Sequence, residues 1–228
     1  MAVDGTLGLV ALGVLVVGTL LVLAIARHRR QGRARAQALR RLGFRDCPDR
    51  TAWLEETVSR LERTEGVRYE IRQPRRLPGE PAVYHYVKVR HRHVQDDAVA
   101  EEEILFPLKR PSPAGLVVLV KPSSLAPGLA TRMLGAIAAG PWDAQAADLR
   151  RLELPADLRN TNVVAALGPP GAGLYDLIDS RALSVVQGLG DAGGMFVRCR
   201  ESWCAVSGAS AQIPYRIDHI VAGIRPLL

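Results

Sequence analysis

The chain has 228 residues, with 30 Lys and Arg against 23 Asp and Glu and a formal net charge of +7. Eight of the 30 bases are arginines between positions 27 and 45, and Asp4 is the only acid before Asp46, so residues 46–228 hold 22 bases and 22 acids. A folded region with no net charge argues against nucleic-acid binding, which needs a basic field on the domain itself; three cysteines without a regular spacing argue against a disulfide-stapled secreted protein.

Residues 1–6 are a short tail with one acid and no base. Residues 7–26 (LGLVALGVLVVGTLLVLAIA) are 20 positions without a charge. A helix rising about 1.5 Å per residue would carry that stretch across the ~30 Å hydrocarbon core of a bilayer, so it predicts a single transmembrane helix. The stretch is too long, and the tail too acidic, for a cleaved signal peptide with its apolar run of roughly 7–15 residues; it reads as a signal-anchor. Arg27, Arg29, Arg30, Arg33, Arg35, Arg40 and Arg41 follow, then Arg45. Bases on that side predict an N-terminus outside and a cytoplasmic C-terminal domain. Only three of the 30 bases are Lys, which suggests a GC-rich bacterial genome and hence a bacterial inner membrane. The linker, residues 27–47, reads as helical through Ala34, Ala36, Ala38 and Leu39 and stopped at Gly43. Its arginines are the candidate contacts to anionic lipid head groups, at about 1 kcal/mol for each one close to the surface.

Residues 48–228 read as one soluble domain. Residues 50–65 predict an amphipathic helix, with Trp53, Leu54, Val58 and Leu61 on one face and Gly66 as its stop. Strands follow at 67–72 and, after the LPGE turn, at 83–94. An acidic connection leads to strands at 104–108 and 116–120, separated by a Pro-Ser-Pro turn at 111–113. The apolar run LVVLV at 116–120 predicts a central strand, and the four strands an antiparallel meander. Helices are expected at 129–139 and 144–149, an edge segment at 152–158 and a short apolar segment at 163–167. A helix is expected at 174–187, then a hairpin of 195–200 and 203–206 around Glu201-Ser202. A last helix carries Ile217, Ile220, Val221 and Ile224. A helix followed by two strands thus occurs at 50–94 and again at 174–206, the outline of an internal duplication whose residues do not repeat. The fold class expected is a single N-terminal transmembrane helix followed by an α+β cytoplasmic domain, its antiparallel sheet packed with helices mainly on one face.

The chemistry-bearing groups are sparse. Asp96, Asp97 and Glu101 to Glu103 read as a solvated acidic connection without the calcium-loop pattern, or as a partner in cis for the Arg linker. His85, His91 and His93 share a strand face, but His-x-His lacks a third ligand, so no metal is expected. Cys199 and Cys204 would face each other across the hairpin as buried thiols. Gly168, Gly171 and Gly173 in LGPPGAG could offer backbone amides to an anion at a helix start, although the phosphate-loop pattern is incomplete. Without a nucleophile elbow, H-E-x-x-H or kinase set, neither catalytic residues nor cofactors are expected. The reading is a membrane-anchored, non-enzymatic interaction or scaffolding module with a protein partner. The alternative is a membrane-associated enzyme or anionic-ligand binder using the loop at 168–173.

Overall fold

The computed structural model describes residues 32–63, 67–92, 95–125, 148–158, 160–208 and 216–228, together with Thr19, Val22 and Ala26. The chain divides into two units, Met1–Arg41 and Leu42–Leu228. In the first unit, residues 32–41 form a helix, α1, in which Arg33, Gln37, Arg40 and Arg41 are exposed. Positions 33, 37, 40 and 41 fall on one side of a helix with 3.6 residues per turn, so the arginines form a polar face.

The expected spanning helix is not supported. Residues 7–26 lie outside the described ones apart from Thr19, Val22 and Ala26, and among the described residues no helix is long and apolar enough to cross a membrane. The architecture described is an antiparallel sheet with a few helices.

The second unit opens with a two-residue strand, β1 (Arg45–Asp46), and α2 (Thr51–Glu62). Leu54, Val58 and Leu61 recur at helical spacing and are buried. The expected helix over 50–65 is shorter because Arg63 turns left-handed at φ 46 and its amide donates to Ser59 O at 3.0 Å. Next come β2 (Val67–Leu77), β3 (Val83–Arg92), β4 (Gln95–Val120), β5 (Arg150–Arg151) and β6 (Val163–Gly168). Then follow α3 (Leu174–Leu177), α4 (Ser180–Gly188), β7 (Met195–Gly208) and α5 (Ile217–Ile224). The strands make one seven-stranded sheet in the order β1-β2-β3-β4-β6-β5, with β7 on the other side of β4. Every pairing is antiparallel. The expected helices at 129–139 and 144–149 lie outside the described residues, except that Asp148 and Leu149 are not helical.

Three expected connections turn out to be strand. β2 continues past position 72: Gln73 at φ 52 and Pro74, which has no N–H, shift the register between Arg72 and Arg75. The freed Pro74 carbonyl accepts from Cys47 N at 2.9 Å. The acidic connection lies within β4, where Glu101, Glu102 and Glu103 pair with Lys88, Val87 and Tyr86 of β3. The Pro-Ser-Pro segment does not reverse the chain. Between the pairs Pro107↔Trp203 and Leu116↔Cys199, β4 advances nine positions where β7 advances four. The surplus residues, two prolines and Gly115 among them, form a bulge in β4, and the Gly115 φ of +81 suits a residue without a Cβ. The hairpin around Glu201-Ser202 is likewise absent, since β7 runs on through a kink at Glu201, φ 54. With one strand there instead of two, the duplication is not seen.

The helix expected over 174–187 is broken. Ile178 is extended, and Asp179 starts α4 anew by accepting from Ala182 N at 2.7 Å. Helices also lie on both faces of the sheet, not mainly on one. Neighbouring residues of β7 show this: Ala205 is buried in a cluster with Leu54, Val58 and Leu61 of α2, while Cys204 lines a cleft with residues of α3 and α4. Side chains alternate along a strand, so the two positions look opposite ways. The run LVVLV permits this, being apolar on both of its sides.

Candidate functional site

Under the last turn of α2, four elements bring charged side chains together away from water. Lys88 of β3 places Nζ 2.6 Å from Glu62 Oε1, 2.7 Å from Glu103 Oε1 and 3.1 Å from Glu101 Oε2. Arg198 of β7 reaches Glu62 Oε1 at 3.2 Å, pairs with Glu103 and donates to Ser207 Oγ at 3.0 Å. Tyr86 donates its hydroxyl to Glu103 Oε2 at 2.8 Å. Lys88, Glu62 and Glu103 are almost completely buried. Alternation explains the convergence: Tyr86 and Lys88 share one face of β3, and their partners Glu103 and Glu101 share the same face of β4.

The electrostatics are reciprocal. Burial alone would raise the Glu62 carboxyl, but Arg198 and Lys88 outweigh it and hold it down at about 2. Burial and the nearby Arg198 would depress Lys88, yet Glu103 and Glu62 raise it above the usual lysine range. Burial and then Glu103 push Tyr86 well upward. Glu62, Glu101, Lys88 and Arg198 are thus held in their charged forms by their neighbours. Three carboxylates face two cations here, which leaves one negative charge in excess, and their ion pairs join α2, β3, β4 and β7.

Two smaller polar arrangements brace the same sheet. Arg200 donates to both Asp148 oxygens at 2.9 and 3.2 Å and packs against Gly115 of the bulge. At the end of β4, Lys121 Nζ donates to Leu125 O at 3.1 Å and Asn162 Oδ1 at 3.3 Å. Asn162 Nδ2 donates to Ser123 Oγ at 2.8 Å, and Ser123 donates to Asp191 Oδ1 at 2.6 Å. This chain of bonds ties the end of β4 to the start of β6.

On the opposite face a cleft of about 430 Å³ opens between the β4 bulge, α3, α4 and the last residues of the chain. Leu108, Leu116, Ile178 and Val186 give it apolar walls, Cys199 and Cys204 lie along it, and Lys109, Asp176, Asp179 and Arg181 bring charge. The two thiols interact along one kinked strand, not across a hairpin; burial, and then Cys199, push the Cys204 thiol upward and keep it protonated.

The sequence-derived candidates are scattered. Arg33, Arg40 and Arg41 are exposed on α1 and Arg35 is half-buried, while Arg27, Arg29 and Arg30 lie outside the described residues. Gly168 ends β6 and is buried, Gly171 is exposed at φ +81, and Gly173 N donates to Asp176 Oδ2 at 2.8 Å. That carboxylate belongs to the one-turn helix α3 itself and takes the amide an anion would seek. His85 is buried with its ring 6.3 Å from that of Phe44, His91 is exposed 3.1 Å from Glu70, and His93 lies outside the described residues. Among the described residues, no three His, Cys, Asp or Glu side chains are grouped to hold a metal. Sequence reading missed the cluster of Glu62, Lys88, Glu103 and Arg198. Its only local signal is the alternation Tyr86-x-Lys88 and Glu101-x-Glu103, with acid and base at matching strand positions. No family model, curated protein or solved structure matches this chain.

Proposed function

We propose that this chain is a non-enzymatic interaction module that works at an anionic lipid surface. The arginine face of α1 meets the head groups, and the sheet domain of residues 42–228 is the part that engages a protein partner. The observation carrying this reading is the exposed set Arg33, Arg40 and Arg41, none of which is paired with a carboxylate among the described residues. Exposed guanidinium groups without internal partners are free to exchange counterions for lipid phosphates. In the domain, by contrast, the most closely grouped acids and bases are buried against one another, which leaves them poorly placed to move protons to a substrate. The loop at 168–173 adds no second reading, because Asp176 already occupies the Gly173 amide.

The test is co-sedimentation of the full chain with vesicles of phosphatidylcholine alone and of equimolar phosphatidylcholine and phosphatidylglycerol. Stronger partitioning to the charged vesicles, falling as salt shortens the screening length, supports the proposal. Equal partitioning to both vesicles would overturn it.

A further inference from the structure

The cleft beside the β4 bulge plays no part in the lipid-surface reading, and its charges are unevenly committed. Its carboxylates each cap a helix start: Asp179 Oδ1 accepts from the Ala182 amide at 2.7 Å, and Asp176 Oδ2 from the Gly173 amide at 2.8 Å. Lys109 on the bulge and Arg181 on α4 have no carboxylate partner among the described residues. The four charges of the lining sum to zero, and the two cations are the ones left without a partner among the described residues. Ser112, which also lines it, is 5 % exposed, and its Oγ has no hydrogen-bond partner. A buried hydroxyl left in that state lacks an acceptor that a bound ligand can supply. The remaining lining is hydrocarbon, the two cysteine side chains and Tyr175, whose hydroxyl donates to Asp157, and about 430 Å³ lies within the range of small-molecule sites, roughly 300–1,000 Å³.

We propose that this cleft binds a single-chain fatty acid, its hydrocarbon tail lying on Leu116, Val186 and the two cysteines and its carboxylate held by Lys109 and Arg181. The carboxylate matches the uncommitted cations and offers Ser112 an acceptor. The tail matches walls that have no other polar demand.

Isothermal titration calorimetry of the full chain tests this with decanoate below its critical micelle concentration, with decanol as the uncharged equivalent and with inorganic phosphate as the free anion. Decanoate is expected to bind saturably, decanol at least tenfold more weakly and phosphate not at all, because the site needs both head and tail. Lys109→Met with Arg181→Met is expected to weaken decanoate at least tenfold, and Ala182→Trp, which fills the cleft from α4, to abolish binding. The surface variant Arg33→Gln, Arg40→Gln, Arg41→Gln is expected to bind decanoate with unchanged affinity. The two methionine substitutions lie at exposed positions, so they keep the test decisive even where Ala182→Trp fails to fold. Decanol binding as tightly as decanoate, unchanged affinity in the double methionine variant, or loss of binding in the α1 variant would each overturn the proposal. The last of these would assign decanoate to the arginine face instead.

Discussion

Lys88→Met removes the ammonium around which three carboxylates are arranged. Glu103 keeps Arg198 and the Tyr86 hydroxyl, Glu62 keeps Arg198 at 3.2 Å, and Glu101 loses the ion pair at 3.1 Å. Removing one member of a buried ion pair costs about 3–5 kcal/mol, because the remaining charge stays desolvated. Against a typical total of about 5–15 kcal/mol, that is a large share of the stability. Urea unfolding of the full chain, followed by fluorescence of Trp53 and Trp203 where they pack at 5.1 Å, reads the loss as a lower midpoint with an unchanged slope. Pairing Lys88→Met with Glu62→Gln is expected to recover part of it, since one uncompensated carboxylate is removed as well. The same cluster predicts an acid limb. Glu62 falls from 4.5 to about 2, so its contribution is complete above the unfolded value and disappears as pH drops through the folded one. The shift corresponds to about 3 kcal/mol, lost between roughly pH 5 and pH 2. In Lys88→Met the limb is expected to be shallower. A midpoint within about 1 kcal/mol of wild type, together with an unchanged limb, would refute the reasoning that these charges depend on one another.

Gly115→Ala is expected to destabilise the fold by about 1–3 kcal/mol in thermal or urea unfolding. Its Cβ would sit 2.8 Å from Arg200 Nη2 at a φ of +81, displacing the guanidinium that holds Asp148. Asp179→Ala removes the acceptor for the Ala182 amide at the start of α4 and is expected to cost about 1 kcal/mol in the same assay, with Asp179→Asn close to wild type. Gly190→Ala brings a Cβ to 2.6 Å from Asn162 Nδ2 and 2.8 Å from the Lys121 carbonyl, so loss of about 1–3 kcal/mol is expected, readable as a drop in melting temperature.

Local pattern made part of this fold legible. The stripe of Leu54, Val58 and Leu61 marks α2, Ile217, Ile220, Val221 and Ile224 mark α5, and all seven are buried. The run LVVLV sits in the middle of the sheet, with β6 and β7 as its neighbours. Features created by distant partners were not legible. Glu62 and Lys88 are 26 positions apart and Glu103 and Arg198 are 95, so neither stretch announces the other. Glu101 and Glu103 looked like part of a solvated run because adjacent charges obscure a two-residue period. The bulge looked like a reversal, since proline and glycine signal a departure from the ladder but not its direction. The break at Ile178 was hidden because Leu174, Leu177, Ile178, Ala182 and Val185 keep helical spacing across it. The arginines of α1 were plain in composition; that Arg33, Arg40 and Arg41 share one exposed side became visible once the helix over 32–41 was placed.

The lipid-surface proposal is tested most directly by comparing the full chain with its Arg33→Gln, Arg40→Gln, Arg41→Gln variant on vesicles of equimolar phosphatidylcholine and phosphatidylglycerol at low salt. Both proteins keep the uncharged stretch at 7–26, so the difference between them reads the arginines alone. At about 1 kcal/mol for each Arg near the surface, the variant is expected to partition about a hundredfold more weakly. Equal partitioning of the two proteins would contradict the account.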